Sequence, residues 1–115
     1  MRIPALLVLL LLCPAVAGAG EAFLAELEDL PLAPGLTEVP GGLVFDSPAG
    51  RIVEATASGA VAAETVLAFY NETLPQLGWA RIGERRFRRD NETLEISLDP
   101  RKKPLVVHFN LTPHA

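Results

Sequence analysis

Two stretches near the C-terminus alternate apolar and polar residues, and this alternation constrains the fold more than any other feature. Their apolar positions are Leu94, Ile96, Leu98, Leu105, Val107 and Phe109. A period of two is typical of strands with one buried face. Closing the segment DPRKKP as a six-residue loop pairs Leu98 with Leu105, and so Ile96 with Val107 and Leu94 with Phe109. A slip of one residue would expose the whole apolar set, so we expect the register to be well specified.

A further strand is predicted immediately before these two. With Asp90-Asn91 as a two-residue turn, Phe87 lies opposite Leu94. Two charged pairs fall in the same register: Arg86 with Glu95, and Arg89 with Glu92. The register of the last hairpin also sets His108 opposite Glu95. The sequence therefore predicts an outer-face row of Arg86, Glu95 and His108.

The first hairpin is read from LVFD and RIVEATA, which flank the turn segment SPAG. Closing this turn pairs Asp46 with Arg51, Phe45 with Ile52, and Val44 with Val53. One ion pair beside two apolar pairs is a consistent cross-strand arrangement.

A helix is predicted between the two sets of strands. Its apolar residues recur at steps of three and four: Val66, Phe69, Tyr70, Leu74 and Leu77. Pro75 should kink or tighten the last turn, and Gly78 is a natural end. The predicted fold is therefore α+β, a curved antiparallel sheet in the order β-β-α-β-β-β with one helix packed on its apolar face.

The N-terminal region divides into two further parts. Residues 1–19 have the form of a signal peptide, with Arg2 before an apolar run and small residues that fit cleavage after Ala17 or Ala19. Residues 20–42 are predicted to be a short amphipathic helix and a Pro/Gly-rich linker, and residues 43–113 a single domain. The helix is predicted over residues 21–30 and presents Phe23, Leu24, Leu27 and Leu30. It could fold back onto the sheet or dock a partner.

The single cysteine, Cys13, lies inside the predicted signal peptide, and the mature chain therefore has no disulfide. Small eukaryotic secreted domains usually depend on disulfides, so this absence favours a periplasmic or secreted bacterial protein. It also excludes thiolate chemistry. No segment after the signal is apolar enough to span a membrane.

The pattern RIVEA…FYxxxLPxxGW, carried by Phe69-Tyr70, Leu74-Pro75 and Gly78-Trp79, resembles small uncharacterised exported bacterial proteins. It also resembles the helix-on-sheet modules of some envelope lipoproteins. The resemblance covers Leu43 to Pro113 and rests on packing and turn residues. It implies a fold and a compartment, and it brings no catalytic residues.

Charge is divided unevenly along the chain. Residues 21–72 contain nine acids and one base (1 − 9 = −8), and residues 73–115 contain eight bases and five acids (8 − 5 = +3). The two halves could form one dipolar surface or two self-matching ones. The basic side chains predicted to contact an anionic surface or partner are Arg85, Arg88, Arg101, Lys102 and Lys103. The overall charge of −4 and the export signal argue against nucleic acid.

No known catalytic motif is present, and neither a metal site nor a cofactor is predicted. We therefore expect a non-enzymatic accessory or protein-interaction module of the bacterial envelope. One alternative is a small ligand-binding protein that holds an apolar or anionic molecule. Another is an enzyme in which Glu95 orients His108 as a proton shuttle. Tyr70 and Trp79 are interpreted as core residues.

All three asparagines of the chain, Asn71, Asn91 and Asn110, begin an Asn-x-Thr acceptor pattern for sugar. In a bacterium we expect these sites to be unused. Two of them share the letters NETL, yet the first NETL is predicted on a helix and the second at a hairpin turn. They are therefore not a structural repeat.

Overall fold

A computed structural model describes residues 23–25, 27 and 30–113. Within this part, strands β1 and β2 precede helix α1, and four more strands follow it. The bounds are β1 Thr37–Ser47, β2 Gly50–Gly59, α1 Ala63–Gln76, β3 Ala80–Gly83, β4 Arg86–Arg89, β5 Glu92–Leu98 and β6 Leu105–Pro113. The predicted α+β class is confirmed. The signal peptide predicted over residues 1–19 lies outside the described residues.

The strands form one antiparallel sheet in the order β1-β2-β6-β5-β4-β3. The predicted order β-β-α-β-β-β was wrong by one strand, because β3 is added between α1 and β4. The strand β3 is short and pairs with β4 across an irregular register between Arg81 and Gly83. Its four residues carry too little alternation to be recognised before their pairing is known. The first strand also begins earlier than predicted, at Thr37 rather than at Leu43.

Two of the three predicted registers are confirmed. Asp46 pairs with Arg51 in the first hairpin. Phe87 pairs with Leu94 across the turn at Asp90 and Asn91. The last hairpin was wrong by two residues, since Leu98 pairs with Val107 rather than with Leu105.

The reason for this error is that β6 extends past the end of β5. Leu105 and Val106 pair with Gly59 and Ser58 of β2. A shift of two residues keeps every side chain on its own face, so the apolar pattern could not reveal it.

The end of α1 is fixed by backbone hydrogen bonds around Gly78. The Trp79 N–H donates to the Leu74 carbonyl at 3.0 Å, and the Gly78 N–H donates to the Pro75 carbonyl at 3.1 Å. Together with the positive φ of 94° at Gly78, these bonds form a Schellman motif. Leu74 and Trp79 are both buried, which supplies the apolar contact of this motif. The predicted helix end at Gly78 is confirmed.

The core lies between the sheet and α1. The sheet contributes Val53, Ala55, Ala57, Phe87, Leu94, Ile96, Leu105, Val107, Phe109 and Leu111. The helix buries Val66, Tyr70 and Leu74. The Tyr70 ring meets Phe109 edge to face, with ring centroids 5.5 Å apart. The two predicted core aromatics, Tyr70 and Trp79, are both buried.

The segment before β1 supplies a second cover for the core, which we call the N-terminal strap. Its buried side chains are Leu24, Leu27, Leu30, Leu32, Ala33 and Leu36. Tyr70 holds the strap, since its hydroxyl donates to the Pro31 carbonyl at 2.8 Å and accepts from the Ala33 N–H at 3.1 Å. Burial raises the pKa of this phenol.

The predicted helix over residues 21–30 falls partly on residues outside the described part. Among those described, the Leu24 N–H donates to the Leu30 carbonyl and Phe23 forms a bridge to Pro31. Where the chain is described, no helix combines the length and the apolar character that crossing a bilayer requires.

Candidate functional site

The outer edge of β1 is the most unusual surface of the described chain. Three consecutive apolar side chains are each about half exposed: Leu43 at 53%, Val44 at 52% and Phe45 at 49%. In a strand, consecutive side chains point to opposite faces, so Val44 is on the inner face and Leu43 and Phe45 are on the outer face. Both faces of this edge therefore carry apolar side chains that are exposed to solvent.

The backbone of this edge also offers hydrogen-bonding groups. Antiparallel pairs alternate between those that exchange backbone hydrogen bonds and those that do not. Ser47 and Gly50 close the two-residue turn and form an exchanging pair. The alternation then directs the N–H and C=O of Val44 and Asp46 away from β2. Within the described residues, no strand pairs with this side of β1.

A bulge limits this surface at one end. The β1–β2 register shifts between Val39 and Leu43, where Pro40, Gly41 and Gly42 interrupt the ladder. Gly41 has a φ of 106°, which favours glycine. Proline and bulges are common devices that protect sheet edges. Here they precede the apolar residues and leave residues 43–47 as a regular open strand, which we call the β1 edge.

The five basic residues predicted to contact an anion lie on strand β4, in the turn before it and in the loop between β5 and β6. Arg88 pairs with Thr93 and lies on the outer face, while Arg85 is in the turn between β3 and β4. Arg101 is exposed and donates to both carboxylate oxygens of Asp99, at 3.1 and 3.3 Å. These hydrogen bonds lower the pKa of Asp99.

Lys102 and Lys103 alone of the five line a groove at the start of α1. This groove has a volume of about 630 Å³ and is mostly apolar, with Val61, Ala62 and Leu105 among its walls. Ala62 occupies the N-cap position of α1 and makes no side-chain capping bond. The first-turn N–H groups beside the groove add partial positive charge to that of the two lysines. Glu64 also lines the groove and offsets part of this charge.

The predicted ion pairs were only partly right. Arg89 and Glu92 lie opposite each other, as expected. However, the Glu92 carboxylate accepts two hydrogen bonds from Arg51 of β2, at 2.7 and 3.1 Å. The Arg89 guanidinium lies 4.5 Å from the centre of the Trp79 ring and donates to the Leu77 carbonyl. Sequence reasoning missed both contacts, because the first joins strands that are not hairpin neighbours and the second joins β4 to the end of α1.

The predicted row of Arg86, Glu95 and His108 was wrong. Glu95 pairs with Arg86 as expected, but its other neighbour is Asn110. His108 lies between Thr56 and Ser97, and its Nδ1 is 3.2 Å from the Thr56 hydroxyl. The two-residue shift of β6 is the cause. The geometry therefore does not set Glu95 to orient His108.

The predicted docking residues divide between core and surface. Leu24, Leu27 and Leu30 are buried in the chain's own core, so in this conformation they offer no surface to a partner. Phe23 is half exposed. Of the two alternatives for this segment, the described residues fit the one in which it folds back. The acceptor asparagines Asn71 and Asn91 are exposed, and Asn110 is partly buried.

Comparison with protein-family models, curated proteins and solved structures finds no match for this chain. Within the described residues, no three His, Cys, Asp or Glu side chains are grouped as metal ligands would be. The site is therefore argued from its own geometry, which is that of an open, apolar strand edge.

Proposed function

We propose that this chain is an exported, non-enzymatic interaction module of the bacterial envelope, which binds a protein partner through the β1 edge. The observation that carries this proposal is the half exposure of Leu43, Val44 and Phe45 on a strand whose outer backbone groups are unpaired by the described sheet. An extended segment of a partner can add to such an edge. Main-chain hydrogen bonds then supply affinity, and alternate side chains supply specificity.

Two features favour a binding edge over an edge that is merely tolerated. Natural proteins usually blunt long sheet edges with charge, proline or a bulge, and these devices are absent between Leu43 and Phe45. The apolar surface also continues beyond the three residues, since Val39 is exposed on the same outer face as Leu43 and Phe45. Contiguous exposed apolar patches often mark binding surfaces. Separately, Arg2 and the apolar run that follows it have the form of a signal peptide, which supports export.

Site-specific photo-crosslinking in the producing bacterium tests this proposal. A benzophenone amino acid replaces Phe45 on the β1 edge, and in a matched control it replaces Ile82 on β3. Both side chains are about half exposed, at 49% and 46%. We expect crosslinked protein products from position 45 and none from position 82. Equal products at the two positions, or none at position 45, would count against the β1 edge.

The groove at the start of α1 favours a second function, the binding of a small anionic amphiphile. Its volume falls within the range of roughly 300–1,000 Å³ that is usual for ligand sites. Its apolar walls suit an alkyl chain, and Lys102 and Lys103 suit a carboxylate or a phosphate.

A fluorescent fatty acid and its neutral alcohol analogue distinguish this second function. If the groove is a ligand site, the acid binds more tightly than the alcohol, and a Lys102→Ala, Lys103→Ala variant loses that preference. A variant with Arg85→Ala and Arg88→Ala serves as the control, because neither arginine lines the groove. Identical binding of acid and alcohol would remove the lysines from any such role.

A further inference from the structure

The partner that fits the β1 edge best is a second copy of the same strand. This inference rests on the proposed function of that edge and names its partner. We propose that two chains pair through antiparallel β1 edges about a two-fold axis that passes beside Val44. The two sheets then join into one continuous sheet across the axis. Such a contact is isologous, so it closes as a dimer and does not propagate.

The side chains of the β1 edge match themselves in this register. Val44 meets Val44 of the second copy on the inner face. Leu43 meets Phe45 of the second copy on the outer face, once on each side of the axis. Asp46 falls opposite Gly42, which has no side chain. Every apolar residue therefore meets an apolar residue, and no carboxylate faces another carboxylate.

The neighbouring register is less favourable. An axis beside Phe45 would put Val44 against Asp46 and bury a carboxylate next to an aliphatic side chain. It would also leave Leu43 opposite Ser47. The register centred on Val44 is the one in which hydrophobic contact and charge agree.

The backbone supports the same register. The alternation set by the Ser47–Gly50 pair directs the Val44 N–H and C=O outward. Two chains centred on Val44 can therefore exchange a pair of hydrogen bonds at the axis. The bulge at Gly41 ends the regular pairing on one side, and the turn at Pro48 ends it on the other. The contact is short, so we expect a dimer that dissociates on dilution.

Cysteine crosslinking tests the register. A hydrogen-bonded antiparallel pair sets its Cα atoms about 5.5 Å apart, which lies within the roughly 4.4–6.8 Å that a disulfide spans. The exported protein carrying Val44→Cys should form a disulfide dimer under mild oxidation. Leu43→Cys and Phe45→Cys should crosslink efficiently only when the two variants are mixed. Ile82→Cys on β3 is the matched control. The wild type is a second control, because any chain that keeps its signal peptide also carries the thiol of Cys13.

Sedimentation of the uncrosslinked protein gives an independent measurement. The wild type should shift from monomer to dimer as its concentration rises. Val44→Lys should remain a monomer with unchanged circular dichroism, because it places two like charges at the axis while the side chain is half exposed in the monomer.

The inference is overturned if the wild type stays monomeric and Val44→Cys crosslinks no more than Ile82→Cys. The photo-crosslinks at position 45 then separate two failures. A product that contains another protein overturns self-pairing but keeps the β1 edge as a binding surface. The absence of any product overturns both.

Discussion

The two edge strands of the sheet, β1 and β3, differ in their length and in the contacts around them. The strand β3 is short, and Arg81 fixes its end by donating to the carbonyls of Gly83 and Glu84. Next to β3, Arg89 covers Trp79, and the Schellman motif joins the strand to α1. The strand β1 is long, and three consecutive apolar residues on it are about half exposed.

This difference separates stability from recognition. Near β3, Trp79 is buried, and its removal should affect folding. On the β1 edge, Phe45 is half exposed, and its removal should affect binding much more than folding. Five predictions test this division, beginning with the largest expected effect.

Trp79→Ala should destabilise the protein by about 3–5 kcal/mol, because it empties a buried site beside Leu74. Phe45→Ala on the β1 edge should cost less than about 1 kcal/mol. Denaturant unfolding measures both. Trp79→Phe is the control and should cost less than Trp79→Ala, since the buried indole N–H has no hydrogen-bond partner among the described residues. The comparison fails if Phe45→Ala is as costly as Trp79→Ala.

Tyr70→Phe should cost about 1–3 kcal/mol, because it leaves the Pro31 carbonyl and the Ala33 N–H without their partner. The strap also contacts β1, since the Ala25 N–H donates to the Glu38 carboxylate at 2.9 Å. This change should therefore loosen the β1 side of the molecule and leave the β3 side folded. Amide hydrogen exchange would show the difference, and equal loss of protection on both sides would contradict it.

The same tyrosine predicts a pH dependence. Its pKa is raised in the folded state, so the stabilisation from the neutral phenol is complete below the unfolded value of about 10. That stabilisation is lost as the pH rises through the folded pKa. Tyr70 is the one tyrosine of the chain, so phenolate absorbance reports on it alone. Ionisation should appear together with unfolding, and ionisation of the still folded protein below pH 10 would be the opposite result.

Gly78→Ala should cost about 1–2 kcal/mol, since a side chain is strained at its φ of 94°. The added Cβ would also lie 3.3 Å from Cδ of Arg89. Gly83→Ala at the end of β3 is a matched control, because its added Cβ makes only an ordinary contact with Arg86 at 3.5 Å. Thermal unfolding should separate the two variants. Equal melting temperatures would show that the helix end does not stabilise this side of the sheet.

The Arg51–Glu92 pair should contribute the least, about 1 kcal/mol or below, because its side chains are 39% and 24% exposed. It connects β2 with β5 and so stabilises neither outer strand directly. A double-mutant cycle with Arg51→Ala and Glu92→Ala at low and high salt measures its coupling. A coupling above that of the Tyr70 contacts would make this pair, and not the strap, the main link across the sheet.

Local patterns predicted most of the secondary structure. The turns at Pro48-Ala49 and Asp90-Asn91 fixed two registers, because a two-residue turn leaves one way to pair its flanking strands. The third register failed where a longer loop left the pairing free by two residues. The β1 edge was not recognised, because Val44 and Phe45 have the same pattern whether or not another strand covers them.

The sequence by itself determined the α+β class, the end of the helix at Gly78 and the apolar face of the sheet, because these depend on residue spacing and on local backbone preference. Only the tertiary structure decided that β6 lies between β2 and β5, that the leucines of the strap are buried under Tyr70, and that β1 forms an edge. These features depend on contacts between residues far apart in the chain, which no local spacing encodes. Exposure of Leu43, Val44 and Phe45 is a property of strand order, and the proposed function follows from it.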